Sequence, residues 1–323
     1  MSRSPYPERE LTDRPVVAFA RPAPGLAALV ERYWWSEGGV GALPRLLPGT
    51  GAELWVHWSG GVDLRPVDGG PVHGRSPDGG PGDGPGDGPD DGRSPMPLPS
   101  GHLVCLRRTP WSLEHRAGAG RPGFVAVRFR AGALRHLVPA RVDELADRVV
   151  GTEELWGAPG RRLVERIGAA RGPAERVAVL DRFLAGLLEA HRRPEPWLDA
   201  AVGRIYRGPA GLRMDRLAEA IGVGPRHLQR MFPAAVGAGP KEFQRLARFQ
   251  RLARLLLREE RPHSLPAALD AGYYDQSHFT REFRRLTGER PAELLGSGRS
   301  HFYCPSLTAD GQAGLRPTQE ETP

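Results

Sequence analysis

The chain has very little cysteine and no segment that could act as a membrane anchor. Of its 323 residues only Cys105 and Cys304 are cysteines, too few and too far apart for a disulfide framework or a zinc cluster. No apolar run approaches the roughly 20 residues that cross a bilayer, and the N-terminus lacks the apolar core of a signal peptide. The sequence therefore predicts a soluble, cytoplasmic protein with no membrane partner.

Lysine is almost absent, and arginine carries the positive charge. Lys241 is the only lysine among 45 basic residues, and the formal net charge is +7. Residues 194–299 hold 18 basic against 12 acidic residues, so nearly all of the excess lies in the C-terminal third. Arginine forms paired hydrogen bonds with phosphates and guanine edges. This distribution indicates a polyanionic partner.

Motifs for catalysis and metal binding are missing as well. There is no Ser-His-Asp, Cys-His or paired-carboxylate arrangement and no phosphate-binding loop, so we predict no catalytic residue, cofactor or enzyme activity. A cupin-type metal site would need a His-x-His pair with a nearby carboxylate, and no such pair occurs. The histidines concerned are His57, His102, His115 and His136. No metal is predicted.

Residues 1–138 have the pattern of a β-rich domain. Short runs of β-branched and aromatic residues, bounded by Gly and Pro, predict several strands in a small sandwich or barrel. The runs are Glu53–Gly60, His102–Arg108, Ser112–Gly118 and Gly123–Arg130.

One of these runs suggests a ligand-binding wall. In "ELWVHWSG", alternation places Glu53, Trp55 and His57 on one face of the strand. If the domain encloses a small-molecule cavity, this polar and aromatic set would line it. These three residues are the candidate effector site.

Two further regions complete the N-terminal two thirds of the chain. Residues 68–100 are almost wholly Gly, Pro, Asp and Ser, which predicts a disordered insert between two strands. The Gly-Asp repeats there lack the period of a calcium-binding coil. Residues 139–193 have apolar positions at helical spacing and are predicted to form a helical connector. Residues 297–323 are predicted to be a flexible tail.

Residues 194–296 are predicted to be all-helical and to contain two similar units. In "MDRLAEAIGVGPRHLQRMFPAAVG" a short helix is followed by a glycine turn and a second helix that begins at Pro225. Leu228, Met231 and Phe232 share one face of that helix and are expected in the core. Arg226, Gln229 and Arg230 share the opposite face. Such side chains pair bidentately with guanine and adenine in the major groove.

The second unit is "GYYDQSHFTREFRRLTGERPAEL", preceded by a predicted short helix at 264–272. Asp275 is well placed to cap the helix that follows the turn. Phe279, Phe283 and Leu286 are spaced to point inward. The residues left on the outside are Gln276, Ser277, Thr280, Arg281 and Arg284. Taken alone, this segment is either a helix-turn-helix with its recognition helix or an ordinary helical hairpin.

A long helix is predicted between the two units, at residues 240–260. About 19 helical residues span about 28 Å, close to the roughly 34 Å of one turn of DNA. It could hold two recognition helices in two adjacent major grooves of double-stranded DNA, which favours the helix-turn-helix interpretation.

Residues 197–295 resemble the DNA-binding domain of AraC/XylS-type transcription regulators. The resemblance rests on "LAEAIGVGPRHLQRMF", "ARFQRLARLLL" and above all "GYYDQSHFTREFRRLTGERPAEL". It implies seven helices in two subdomains joined by the long helix, with no metal and no catalysis. It also implies contacts to bases and phosphates from the two recognition helices. The residues concerned are Arg226, Gln229, Arg230, Gln276, Ser277, His278, Thr280 and Arg281.

Two positions need comment within this resemblance. His278 could instead hold the turn through a backbone hydrogen bond. Pro233 stands where the family usually has a charged residue, and proline ends or kinks helices, so the first recognition helix is expected to be shortened after Phe232.

The N-terminal half resembles the β-rich sensor domain that precedes some of these regulators, through "RYWW", "RLLPGTGAELWVHWSG" and "VRFRAGAL". This resemblance implies a cupin-like fold with an uncharacterised effector. The fold class is therefore α+β multidomain: a β-rich cupin-like domain, a helical connector and an all-α domain with two helix-turn-helix units.

The sequence thus predicts a sequence-specific DNA-binding transcription regulator controlled by a small-molecule effector or by subunit pairing as a homodimer. RNA polymerase is a further candidate partner. One alternative is a DNA-processing or repair protein that uses the helices for targeting, which would want a reactive cysteine in a metal-ligand cluster. Another is a regulator whose N-terminal domain binds a protein or only dimerises.

Overall fold

The computed structural model describes residues 17–37, 46–66, 95–116, 123–208, 210–258 and 271–291, together with residues 266, 268, 269 and 293. The N-terminal part contains nine strands in these ranges. They are β1 (Val17–Ala20), β2 (Val30–Glu37), β3 (Glu53–Trp58), β4 (Gly61–Pro66), β5 (Met96–Pro97), β6 (Gly101–Val104), β7 (Trp111–Arg116), β8 (Gly123–Phe129) and β9 (Val149–Gly151).

The strands form two antiparallel sheets, which confirms the β-rich prediction. One sheet has the order β1-β2-β8-β3-β6-β9 and the other has the order β5-β4-β7. Alternation along the strands sends every second side chain into the core between the sheets. There the Trp34 ring meets the Trp55 ring edge-on at 4.7 Å. The two leucines of β4 and β7, Leu64 and Leu113, are at most 1% exposed in this core.

The predicted insert ends earlier than Ser100. Met96 and Pro97 pair with Leu64 and Asp63, and the Leu98 N–H donates to Val62 O at 2.8 Å. Met96 and Leu98 are apolar in an otherwise polar stretch, and Leu98 is 6% exposed in the core between the sheets. That burial makes residues 95–100 part of the fold, so the predicted disordered loop is wrong for them. Residues 67–94 lie outside the described residues.

The predicted connector 139–193 is not all helical and covers the six-stranded sheet. Its strand β9 pairs with β6, and its helices are α1 (Thr152–Trp156), α2 (Ala158–Ala169) and α3 (Pro173–His191). Helices α2 and α3 pack on the face of the sheet opposite β4, because that face is also apolar. The Tyr33 hydroxyl donates to Asp181 Oδ1 on α3 at 2.7 Å. The segment is therefore a layer of the N-terminal fold.

The C-terminal part is helical, as predicted. Five of its helices are described in full: α4 (Pro196–Arg207), α5 (Met214–Ala220), α6 (Pro225–Val236), α7 (Pro240–Arg258) and α8 (Gln276–Thr287). The other two of the expected seven helices would lie before and after α8. Residues 266, 268 and 269 are helical at the first of these places, and residues 291 and 293 at the second. The remainder of those two segments and the predicted tail 297–323 lie outside the described residues.

Helix α7 is the predicted long helix, and its apolar stripe is buried. Phe243, Leu246, Phe249 and Leu252 are each 0% exposed. Nineteen residues at 1.5 Å each make it about 28 Å long. In the described residues, no helix combines the length and apolarity that a membrane span requires.

The expected shortening of α6 after Phe232 is wrong, because the helix continues through Pro233 to Val236. Proline removes one hydrogen bond but does not end the helix here. The final turn is held by Ala235 and Val236, which are 8% and 3% exposed, and the Gly237 N–H donates to Pro233 O at 2.8 Å. Burial of this turn outweighs the lost bond.

Polar contacts join the two parts of the molecule. Thr50 Oγ1 donates to Gln250 Oε1 on α7 at 2.8 Å. Arg108 reaches the carboxylate of Glu242 and, through Nη2, Gly237 O at 3.1 Å. These contacts fix the end of α6 and the start of α7 against the N-terminal sheets.

Candidate nucleic-acid interface

The first unit comprises α5, a glycine turn and α6. Gly222 has φ +73°, a left-handed conformation that side chains rarely adopt, and the Val223 N–H closes the turn on Ala218 O at 3.0 Å. Leu228 and Phe232 are 1% and 0% exposed, and the Phe232 ring meets Phe243 of α7 at 5.4 Å. Met231 is only half-buried. The turn and this packing set the direction of α6.

The opposite face of α6 is free. Arg226, Gln229 and Arg230 are all exposed, and within the described residues their side chains form no hydrogen bond or ion pair. We call these three residues the first reading face. Their exposure agrees with the sequence prediction, and their contact with DNA stays a prediction.

The second unit has the same construction around α8. Gly272 has φ +88°, and Asp275 caps α8 by accepting the His278 N–H at 2.7 Å on its Oδ1. Phe279 and Phe283 are each 1% exposed. These inward rings leave one side of α8 directed away from the core.

The outward side of α8 is polar. Gln276, Ser277 and Arg281 are exposed, and Thr280 is half-buried. We call these four residues the second reading face. Arg284 and Arg285 are also exposed near the end of α8, so this helix carries three exposed arginines.

His278 lies in the turn of the second unit. Its Nδ1 accepts the Tyr274 N–H at 3.4 Å, and its Nε2 lies 3.4 Å from Glu282 Oε2. These contacts match the alternative in which His278 holds the turn by a backbone hydrogen bond. Its side chain is still 40% exposed, so a DNA contact stays a prediction.

Sequence reasoning missed the residue that connects α7 to the second unit. Arg248 Nη1 donates to Gly272 O at 3.2 Å, and its Nη2 donates to Glu282 Oε2 at 3.3 Å. Its guanidinium also lies 4.7 Å from the centre of the Tyr273 ring. Arg248 lies in the motif "ARFQRLARLLL", but nothing in its spacing pointed to the turn as its partner.

The candidate effector residues are packed in the core. Glu53, Trp55 and His57 are 5%, 2% and 4% exposed. The Trp55 indole donates to Glu53 Oε2 at 3.3 Å, and Arg128 Nη1 donates to Glu53 Oε1 at 2.9 Å. Burial by itself raises the pKa of Glu53, but Arg128, Arg107 and Arg32 lower it below its ordinary value. The carboxylate is therefore a charged group inside the sandwich.

Two histidines lie near each other in the same core, with ring centroids 5.6 Å apart. His57 Nε2 and His102 Nδ1 each lie 2.9 Å from Pro99 O, so both nitrogens carry the proton that they donate. Burial, with the neighbouring His57, lowers the pKa of His102 to about 3. His102 is therefore neutral near pH 7. These side chains contact each other and the protein, and their role in effector binding stays a prediction.

Comparison with known proteins finds a match for the C-terminal helices. A family model described as a helix-turn-helix domain matches residues 217–297. That match covers α6, α7 and α8 and both reading faces. A comparison with curated proteins gives no match.

Solved structures of similar proteins were also found. ToxT from Vibrio cholerae is 11% identical, with 79% of this chain and 93% of that chain covered and a TM-score of 0.44. A transcriptional regulator with an AraC-type DNA-binding domain from Chromobacterium violaceum is 25% identical over 33% of this chain and 94% of its own, with a TM-score of 0.30. The DNA-binding domain of AdpA, solved with a target DNA, is 21% identical over 33% of this chain and 96% of its own, with a TM-score of 0.30.

Proposed function

Since this chain carries an AraC-type helix-turn-helix domain and is a DNA-binding transcription regulator, we propose that it reads a specific sequence with both units at once. Arg226, Gln229 and Arg230 would contact bases in one major groove. Gln276, Ser277, Thr280 and Arg281 would contact bases and phosphates in the next, with His278 at the turn. The observation that carries this proposal is the matched construction of the two units on one 19-residue helix.

The chemistry of the two faces supports base reading. A major groove admits an α-helix, and arginine and glutamine are the side chains that bind guanine and adenine bidentately. Each unit also presents the N-terminal half of its second helix, the part that helix-turn-helix proteins insert into the groove. The proposed DNA target fits the cytoplasmic location predicted from the sequence, which stays a prediction.

We propose that the N-terminal fold controls this reading. It contacts the first unit and α7 directly through Arg108 and Thr50, so a change in its conformation would alter how the units are held. An effector would act only if it binds the two arrangements with different affinity. The proposed domains are 1–138 and 194–296, with residues 139–193, predicted as a connector, packed on the first as a layer of the N-terminal fold. Homodimer formation and binding of RNA polymerase stay predictions, and so does an effector at Glu53, Trp55 and His57.

A DNA-processing function has no support from the described cysteine. Cys105 is 3% exposed, and burial raises the pKa of its thiol to about 12, so it is not a reactive nucleophile. Cys304 lies outside the described residues.

Hydroxyl-radical footprinting on a selected high-affinity site tests the proposal. We expect two protected clusters on one face of the duplex, about 10 base pairs apart. Arg230→Ala should weaken protection in one cluster and Arg281→Ala in the other. Arg216→Ala is the matched control, because Arg216 is an exposed arginine of α5 that pairs with Glu219 outside both reading faces. A single cluster, or protection without sequence preference, would refute two-groove reading.

A further inference from the structure

A groove runs between α2 and α3 on the side of the N-terminal fold away from the sheets. It has a volume of about 530 Å³, within the roughly 300–1,000 Å³ range typical of small-molecule sites. Its floor is apolar and is formed by Leu155, Trp156, Leu163, Val179, Phe183 and Leu187. The Trp156 indole is fixed by a hydrogen bond to Leu137 O at 2.9 Å and by edge contact with Phe183 at 5.3 Å. The floor is therefore preformed.

Three arginines line the same groove, and we call it the arginine-rimmed groove. Arg162 and Arg166 lie one turn apart on α2, and Arg182 faces them from α3. All three are exposed, and none forms a hydrogen bond or ion pair with another described residue. No acidic residue is present among the described residues that line the groove. Like charges four residues apart on a helix repel each other, so Arg162 and Arg166 do not stabilise α2 as a pair.

A glycine keeps the groove open. Gly186 lies inside α3 and lines the groove, and a Cβ built on it would meet no atom within 4 Å. Alanine would therefore fit here and would favour the helix, because glycine is a poor helix former. A large side chain at this position would instead occupy the space above the apolar floor.

We propose that the arginine-rimmed groove binds a small amphipathic organic anion, with its apolar body on the Trp156 and Phe183 side chains and its carboxylate or other acidic group on the arginines. An apolar floor with a few convergent charged groups is the usual composition of a ligand site. Guanidinium groups bind planar anions through paired, charge-assisted hydrogen bonds. Neither reading face lies in this groove, and it is separate from Glu53, Trp55 and His57.

One end of the groove leads to the DNA-binding helices. Pro139, Ala190 and His191 line this end, and the Arg193 side chain donates to Pro139 O at 3.1 Å. Arg135 links this end to α4, because its Nη1 donates to Arg193 O at 2.8 Å and its Nη2 donates to Asp199 Oδ1 of α4 at 2.6 Å. A bound anion would thus contact the last turn of α3, from which the chain continues into α4. Any effect of the anion on DNA affinity rests on the proposed function, whereas its binding does not.

Calorimetric titration of the full chain tests the site with a matched pair of probes, biphenyl-4-carboxylate and its uncharged amide. We expect the anion to bind at least about tenfold more tightly than the amide. Arg166→Gln and Arg182→Gln should each weaken anion binding by about tenfold and leave amide binding unchanged. Gly186→Phe should abolish binding of both probes by filling the groove.

Arg161→Gln is the control on the same helix, because Arg161 is exposed but pairs with Glu153 and does not line the groove. Equal affinity for anion and amide, equal losses in Arg161→Gln and Arg166→Gln, or no binding of either probe would overturn the proposal. Binding of an acidic helical peptide without binding of the anion would also overturn it. A chain that fails to bind DNA but shows the expected titrations would refute the proposed function and leave this site standing.

Discussion

Arg108 and Glu242 form a two-pronged contact across the junction between the sheets and the helices. Arg108 Nε lies 2.8 Å from Glu242 Oε1, and its Nη2 lies 3.0 Å from Glu242 Oε2. The same guanidinium also binds Asp147 and Gly237 O. One side chain of the N-terminal fold therefore touches both the end of α6 and the first turn of α7.

Glu242→Gln should weaken this junction in a pH-dependent way. Hydrogen bonds from Arg108 hold the pKa of Glu242 below its ordinary value of 4.5. The carboxylate therefore contributes stability above that pH, and the contribution is lost as the pH falls through the lowered pKa. Because the pair is partly exposed, we expect a loss of about 1 kcal/mol near pH 7. Urea unfolding at several pH values measures it. An equal difference between variant and parent well below pH 4.5 would contradict this explanation.

Arg230→Ala and Arg281→Ala should each cost about 1–3 kcal/mol of binding free energy at the specific site if they read bases. Competition binding with cognate and random DNA separates the two kinds of contact. Arg216→Ala should change neither affinity appreciably, since Arg216 pairs with Glu219 on α5 and lies outside both reading faces. Equal losses on cognate and random DNA would mean that the two arginines contact only the backbone.

Pro233→Ala should stabilise α6 without changing what it reads. Alanine restores the N–H that the proline lacks, at a position that is already helical. The gain of about 3 kcal/mol is reduced by about 1 kcal/mol because the unfolded chain becomes more flexible. We expect a net increase of about 2 kcal/mol in the free energy of unfolding, measured in urea. A change in preferred DNA sequence would show that the proline shapes the first reading face.

His102→Gln should flatten the pH dependence of stability in mildly acidic solution. His102 has a pKa of about 3 in the fold, against an ordinary value of 6.5. Between these values the unfolded chain binds the extra proton, so stability falls with decreasing pH by up to about 1.4 kcal/mol per pH unit. The variant should lose less stability than the parent between about pH 7 and about pH 5. Parallel curves for the two proteins would mean that His102 is not the group responsible.

The starts of α6 and α8 and the exposure of both reading faces were predictable because they follow from local rules. Gly222 and Gly272 mark turns by their conformational freedom, and Asp275 marks a helix start by its capping carboxylate. The spacing of apolar residues every three to four positions then determines which face of each helix is buried. These signals act within a few residues, so a single sequence contains them.

What could not be predicted depends on contacts between residues far apart in the chain. The pairing of β9 with β6 decides that residues 149–151 are a strand, although helix α1 follows directly at Thr152. Arg248 and Arg108 are ordinary basic residues in the sequence, and only the packing of α7 gives them Gly272, Glu282 and Glu242 as partners. Likewise, Pro233 was expected to end α6, but the burial of Ala235 and Val236 in the assembled core overrides local propensity.

Gly237, at the C-terminal end of α6, is packed closely against the N-terminal fold. A side chain there would lie 3.3 Å from Val142 O and 3.5 Å from the Leu106 Cβ, so α6 is held at its far end, about 16 Å from Arg226. The N-terminal fold thus contacts the C-terminal end of α6 and leaves the N-terminal end, which carries Arg226, exposed. A tilt of about 4° at the contacted end would swing the arginines by about 1 Å, enough to spoil hydrogen bonds to a base edge. The N-terminal fold would then control DNA binding by changing the orientation of α6, without covering the DNA-binding surface.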